Sequence, residues 1–83
     1  MNTLQQLMVI TMEECGELIQ QCSKCLRKGE CYNDKELIEE IGDVHTMIEL
    51  MLEYNIASRD EIEKRAKVKR ERLKKWSDLI NEK

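Results

Sequence analysis

Apolar residues recur along this 83-residue chain at alternating intervals of four and three positions, and this spacing restricts the fold more than any other feature. Because an α-helix has 3.6 residues per turn, such spacing places these residues on one helical face. The first stripe is Leu4, Met8, Thr11, Cys15, Leu18, Cys22 and Cys25. It predicts a helix over about residues 2–28, which Gly29 would end as a C-terminal cap.

Two further helices are predicted by capping signals and stripes. Asn33 with Glu36 resembles a capping box and predicts a second helix over about residues 34–54. The same signal begins at Ser58 and predicts a third helix over about residues 59–81. The second stripe is Leu37, Ile41, Val44, Ile48 and Met51 or Leu52, and the third is Ile62, Ala66, Lys69, Leu73, Trp76 and Ile80.

The connection between the first two helices is about five residues long, so these helices should pack as an antiparallel hairpin. The lack of proline and a charged fraction of 37% also favour long helices over strands. The sequence therefore predicts an all-α fold, a helical hairpin plus a third helix, as a single domain over residues 1–83. The first helix carries more apolar surface than one partner helix can cover. This surplus predicts a homo-oligomeric helix bundle, a dimer or a tetramer.

The cysteines and the lack of a targeting signal bear on location. Cys15, Cys22 and Cys25 lie at helical spacing on an apolar face, where free cysteines pack as small hydrophobic residues. No leader is evident, and the apolar run at residues 7–10 is far shorter than the roughly 20 residues of a membrane span. These features predict a soluble cytoplasmic protein in a reducing compartment, without a membrane partner.

The segment EECGE, residues 13–17, places three carboxylates and a glycine in the middle of the first helix, and EEIGD, residues 39–43, repeats this pattern in the second. Like charges one turn apart repel, and glycine costs about 0.8–1 kcal/mol relative to alanine in a helix interior. An offsetting interaction is therefore expected. Close approach of a backbone or a ligand would account for both glycines.

The acidic residues differ in direction. At ~100° per residue, Glu40 falls inside the second stripe with Asp43 just beyond its edge, and Glu14 and Glu17 flank the first stripe. Glu13 points away and is expected to be solvated surface.

Counted from the turn near Cys31, Glu17 and Asp43 are 14 and 12 residues away, so the two acid pairs should meet at similar depth. Oxygen-only clusters suit Mg²⁺, Mn²⁺ or Ca²⁺, and Mg²⁺ commonly combines a few carboxylates with substrate phosphates. The pattern thus predicts a metal site for phosphate chemistry.

These motifs also resemble a known family. Glu14-x-x-Glu17, twenty-two intervening residues, and then Glu40-x-x-Asp43 on two successive helices resemble the all-α nucleotide pyrophosphatase superfamily, which includes MazG-like proteins and dimeric dUTPases. The flanking segments MEECGELIQ and ELIEEIGDV resemble it as well, and the similarity covers roughly residues 5–75.

The resemblance implies Mg²⁺-dependent hydrolysis of nucleoside triphosphates to monophosphates and pyrophosphate, with Mn²⁺ as an alternative cofactor. By this comparison Glu14, Glu17, Glu40 and Asp43 would hold the metal and serve catalysis. The segment KVKRER occupies the place of the family's phosphate-binding residues, with Lys67 and Arg70 the best matches and Lys69 a third candidate. The chain is short, so its site would draw on a partner subunit.

Three other functions compete with this one. The basic third helix could bind nucleic acid, which the acidic charge of residues 1–58 (4 basic and 11 acidic side chains) disfavours. Cys22, Cys25, Cys31 and His45 could be zinc ligands, but no second Cys-x-x-Cys follows, so core packing is favoured for the cysteines and a structural role for His45. A non-catalytic partner-binding helical module is the third, which the four acids disfavour.

Overall fold

The computed structural model describes residues 1–80, and this part of the chain forms three α-helices and no strand. They are α1 (Thr3–Lys28), α2 (Lys35–Glu53) and α3 (Arg59–Trp76). The predicted all-α fold is confirmed, and the predicted bounds of α1 and α2 agree with the structure to within one residue.

Side-chain caps set the starts of the first and third helices. The Asn2 side chain accepts a hydrogen bond from the backbone N–H of Gln5 at 2.8 Å, and the Gln5 side chain accepts one from the backbone N–H of Asn2 at 3.0 Å. This capping box was not identified from the sequence. Ser58 caps α3 as predicted, because its Oγ accepts a hydrogen bond from the backbone N–H of Glu61 at 3.2 Å. Each cap satisfies an amide that the first helical turn leaves unpaired.

The turn between α1 and α2 uses a different cap from the one expected. Gly29 ends α1 in the left-handed region at φ 89°, as predicted. Asn33 also has a positive φ, 59°, whereas an N-cap residue has extended backbone, so its predicted capping role is wrong. Asp34 caps α2 instead, accepting from the backbone N–H of Leu37 at 2.9 Å. That hydrogen bond, supported by the nearby Lys28 ammonium, lowers the pKa of Asp34.

The cysteines differ from their expected state. Cys25 and Cys31 form a disulfide between the last turn of α1 and the segment before α2, with their Cα atoms 5.5 Å apart. Cys15 and Cys22 are free and exposed. The prediction that Cys25 packs as a free thiol is therefore wrong, and the inference of a reducing compartment loses its support. The alternative of a zinc site also loses two of its ligands to the disulfide.

The α1–α2 hairpin contains the whole core of the described chain. Leu7, Gln21 and Met47 are its only buried residues, each no more than 6% exposed. Residues seven apart lie on nearly the same helical face. The contact line between the two helices therefore passes through Leu7, Glu14 and Gln21 on α1 and through Glu40 and Met47 on α2.

The predicted stripes of the hairpin are rotated away from this contact line. The outer members of both stripes lie on one side of the hairpin. Around each helix they are displaced from the contact line in one direction, and Glu17 and Asp43 are displaced in the other. This apolar flank is exposed, with Leu4 and Ile41 each 51% accessible. It consists of Leu4, Met12, Cys15, Ile19, Cys22, Leu26, Ile38, Ile41 and Ile48.

The third helix makes little contact with the hairpin in the described chain. Its beginning is linked to α2 by an ion pair of 2.8 Å between Arg59 and Glu49. Most of its predicted stripe is exposed, with Trp76 83% accessible, while Leu73 and Ile80 are partly buried. The helix ends at Trp76 rather than near residue 81, since residues 77–80 form bends, and residue 81 lies outside the described residues.

The radius of gyration is 15.2 Å, against about 12 Å for a compact domain of this length. The small core and the uncovered α3 account for this extension. None of the helices in the described residues has the length and apolar character needed to cross a membrane.

Candidate metal centre

Four carboxylates converge between the two helices of the hairpin. Glu14 and Glu17 extend from α1, and Glu40 and Asp43 from α2. One oxygen from each lies within 4.8 Å of the others. The structure thus brings together the four acidic residues that the sequence analysis selected.

The helix spacing and the register of the hairpin explain this convergence. Residues three apart on a helix lie on one face about one turn apart. In the antiparallel hairpin Glu17 lies beside Glu40, and Glu14 lies beside Asp43. The acidic motif of α1 and that of α2 therefore lie at the same depth in the hairpin, as the count from the turn predicted.

The packing of these acids raises the pKa of two of them. Burial is the main reason that the pKa of Glu14 is raised, and the neighbouring carboxylates of Glu17 and Asp43 add to the effect. Burial also raises the pKa of Glu40, followed by the charge of Glu17 and contact with it. Both causes act in the same direction because each disfavours the charged form.

In the part of the chain that the structure describes, no ion pair joins a basic side chain to these four acids. One oxygen each of Glu14 and Glu40, the Oε2 atoms, is buried without a hydrogen-bond partner. A buried acceptor without a donor is costly. The donor set consists of oxygen atoms alone, which is the chemistry that Mg²⁺, Mn²⁺ and Ca²⁺ prefer, and a divalent cation would neutralise the repulsion. The four residues therefore fit a divalent cation.

Residues beside the cluster differ in their exposure. Glu13 is exposed, in agreement with its outward direction. Gln21 lies on the contact line one turn from Glu17 and is 5% exposed, and its Nε2 has no hydrogen-bond partner. The sequence analysis did not select Gln21. Its position, seven residues after Glu14 and fourteen after Leu7, is the signal that could have identified it.

The two glycines of the acidic segments do not mark close packing within the chain. A Cβ atom built on Gly16 or Gly42 would meet no atom within 4 Å. Close approach of the two backbones, one of the two expected reasons for these glycines, is therefore excluded within the described chain.

The structure does not bring the predicted phosphate-binding residues to the acids. Lys67, Lys69 and Arg70 are all exposed on α3. In the described part of the chain, no ion pair joins them to the cluster; the ion pairs of α3 are Arg59–Glu49, Lys64–Asp60 and Lys74–Glu71. In the described single chain, Lys69 is exposed and its helix makes little contact with the hairpin, so its predicted place in an apolar seam stays a prediction.

Two surface cavities lie away from the acids. One, of about 530 Å³, is at the closed end of the hairpin beside the disulfide, and the other, of about 470 Å³, is at the α2–α3 turn. None of the four acidic residues lines either cavity. The acid cluster therefore lies outside both cavities, in the groove between α1 and α2.

Comparison with known proteins identifies the family. The family model of the MazG nucleotide pyrophosphohydrolase domain matches residues 2–78, nearly the whole chain. The chain belongs to this family. The matched segment contains both acidic motifs and the basic part of α3. Searches of curated proteins and of solved structures found no match for the chain. Membership of the MazG family supports nucleotide pyrophosphohydrolase activity at the level of the domain.

Proposed function

We propose that this MazG-family protein hydrolyses nucleoside triphosphates to nucleoside monophosphates and pyrophosphate, with Mg²⁺ as cofactor and Mn²⁺ as an alternative. The observation that carries the proposal is the convergence of four carboxylate oxygens from two helices within 4.8 Å. The family match supports the reaction class.

The four acids have two tasks in this reaction. Glu14, Glu17, Glu40 and Asp43 hold the cation, which when bound would polarise the phosphate and activate water. The reaction breaks the anhydride linkage between the α- and β-phosphates: one phosphate keeps the bridging oxygen, and the other receives the oxygen of water. The attacking water must lose a proton. A carboxylate beside the cation is the candidate general base that accepts this proton.

The phosphates need a cationic partner, which the proposal assigns to Lys67, Lys69 and Arg70. These side chains are exposed on a helix that makes little contact with its own hairpin. We therefore assign them to the site of a second copy of the chain, where α3 lies against the groove of its partner. The exposed apolar flank and the small core of the single chain support a homo-oligomer, a dimer or a tetramer.

The test is a screen of nucleoside triphosphates for pyrophosphate release, with Mg²⁺, with Mn²⁺ and with a chelator. The proposal expects release of pyrophosphate and monophosphate that depends on the cation. Release of inorganic phosphate and diphosphate instead would mean that a different bond is broken. No turnover with any nucleotide, together with strong self-association, would favour the alternative that the apolar flank supports, a non-catalytic partner-binding module.

A further inference from the structure

Gln21 is the only buried polar or charged residue in the described chain. Its Nε2 has no hydrogen-bond partner, so this amide is costly where it lies. A leucine or methionine would fill the same space on the contact line without that cost. The position of Gln21 therefore requires an interaction that the metal-free chain does not make.

The acid cluster contains an acceptor that matches this donor. Glu40 lies on the facing helix, and its Oε2 is buried without a partner. The contacts of Glu40 with Glu17 and of Glu14 with Asp43 set the register of the hairpin, which places Glu40 level with Glu17. Gln21 is four residues further along α1, or about 6 Å along the helix axis at ~1.5 Å per residue.

The direction of the side chains closes this gap. Side chains on an α-helix lean toward its N-terminus. On α1 this direction carries Gln21 toward Glu17 and the cluster. On the antiparallel α2 it carries Glu40 toward the turn, and hence toward Gln21. The two side chains thus lean toward each other from facing helices.

We propose that Gln21 is a positioning residue for the metal site, whose amide Nε2 donates a hydrogen bond to Oε2 of Glu40 when the cluster holds its cation. With the cation bound, the carboxylate of Glu40 uses one oxygen as a ligand. The amide then satisfies the other oxygen and fixes its orientation, as outer hydrogen bonds do for metal ligands. This inference rests on the proposed function, because it needs the cluster to bind a divalent cation.

The experiment is calorimetric titration of Mg²⁺ into wild type, Gln21→Met and Gln20→Met, with the melting temperature of each metal-free protein measured in parallel. Gln21→Met keeps the length of the side chain and removes the donor. Gln20 is the matched control, since it is the adjacent glutamine and is exposed. We expect wild-type affinity for Gln20→Met and a loss of about 10–100-fold for Gln21→Met, the usual effect of removing such a bond. Metal-free Gln21→Met should melt no lower than wild type.

Gln21→Glu and Gln21→Asn extend the test. Gln21→Glu replaces the donor by an acceptor beside four acids and should weaken Mg²⁺ binding at least as much as Gln21→Met. Gln21→Asn keeps a shorter amide and should recover part of the loss. Mg²⁺ affinity within twofold of wild type for Gln21→Met would overturn the inference while leaving the metal site intact. If the three variants lose Mg²⁺ affinity only to the extent that their melting temperatures fall, Gln21 has a purely structural role and the inference fails. If wild type itself binds no Mg²⁺ or Mn²⁺, the proposed function and this inference both fail.

Discussion

The carboxyl groups of Glu17 and Glu40 face each other across the α1–α2 interface, and one oxygen of each belongs to a cluster whose atoms lie within 4.8 Å of one another. Two carboxylates this close repel, and a cation between them would relieve the repulsion. Burial, together with the charge of Glu17, raises the pKa of Glu40. This relationship makes the stability of the hairpin depend on both pH and divalent cations.

The first prediction concerns pH. The pKa values of Glu14 and Glu40 are raised in the folded protein above 4.5, the ordinary value of a glutamate. At pH values from 4.5 upward to the raised pKa values, the folded state therefore binds more protons than the unfolded state. The metal-free protein should therefore lose stability as pH rises through that window and regain it on acidification. Mg²⁺ favours the ionised forms, so the increase in melting temperature that it causes should grow with pH. Melting curves with Mg²⁺ and with a chelator across this range test the sign; a Mg²⁺ effect that is the same at all pH values would contradict it.

The second prediction concerns Glu40 itself. Glu40→Gln keeps the size of the side chain and removes a buried charge, so the metal-free fold should be unchanged or slightly more stable. Hydrolysis should fall on the order of 10²–10⁴-fold if this carboxylate is a ligand and base. Glu13→Gln is the control, because Glu13 is exposed on the outer side of α1. Near-normal turnover in Glu40→Gln would contradict the proposal that these acids hold a catalytic metal ion.

The third prediction concerns the glycines of the two acidic segments. A Cβ on Gly42 meets nothing within 4 Å, and alanine is favoured over glycine in a helix interior by about 0.8–1 kcal/mol. Gly42→Ala should stabilise the protein against urea by about this amount, and Gly16→Ala should do the same. A loss of stability or of oligomer mass in either variant would show instead that another chain approaches this backbone.

The local elements of the fold were predictable from sequence because their determinants are local. Ser58 and Gly29 satisfy the unpaired amides and carbonyls at helix ends with atoms a few residues away, so their signals are readable without the tertiary structure. Asn33 and Asp34 show the limit of this reading. Both are good caps, and the backbone of the turn decides between them.

The acid cluster was also predictable, because helix period and distance from the turn fix its position. The contact line was not. The strongest apolar stripe on α1 faces the exposed flank, while the hairpin buries Gln21 beside Leu7. Periodicity predicts that the most apolar face of a helix is the buried one. In this hairpin the most apolar face of α1 is exposed instead, so the contact line could not be predicted in this way. The Cys25–Cys31 disulfide depends on the conformation of the turn and had no signal in the spacing alone.

The fourth prediction concerns the basic residues of α3. A hydrogen bond to a charged group contributes about 1.5–3 kcal/mol, so Lys67→Ala or Arg70→Ala should raise the KM for nucleotide about tenfold or more, and Lys69→Ala should act in the same direction. Lys64→Ala is the matched control, because Lys64 is exposed on the same helix and pairs with Asp60 at 3.3 Å. Tight binding of a polynucleotide that weakens by orders of magnitude as salt rises would support the nucleic-acid alternative instead.

The last prediction concerns the apolar flank, which the structure leaves open on the side of the hairpin opposite to Glu17 and Asp43. The described part of a single chain buries only three residues, and so small a core favours association, so we expect a second copy to cover the flank. Light scattering of the wild type at micromolar concentration should give two or four times the chain mass of 9.9 kDa. Ile41→Glu places a charge in the middle of the flank and should lower that mass or unfold the chain, whereas Gln20→Glu, at an exposed polar position off the flank, should leave it unchanged. Loss of turnover together with loss of mass in Ile41→Glu would indicate that the basic residues of one copy complete the site of another. A folded wild-type monomer that still hydrolyses nucleotides would show that one chain holds the complete site.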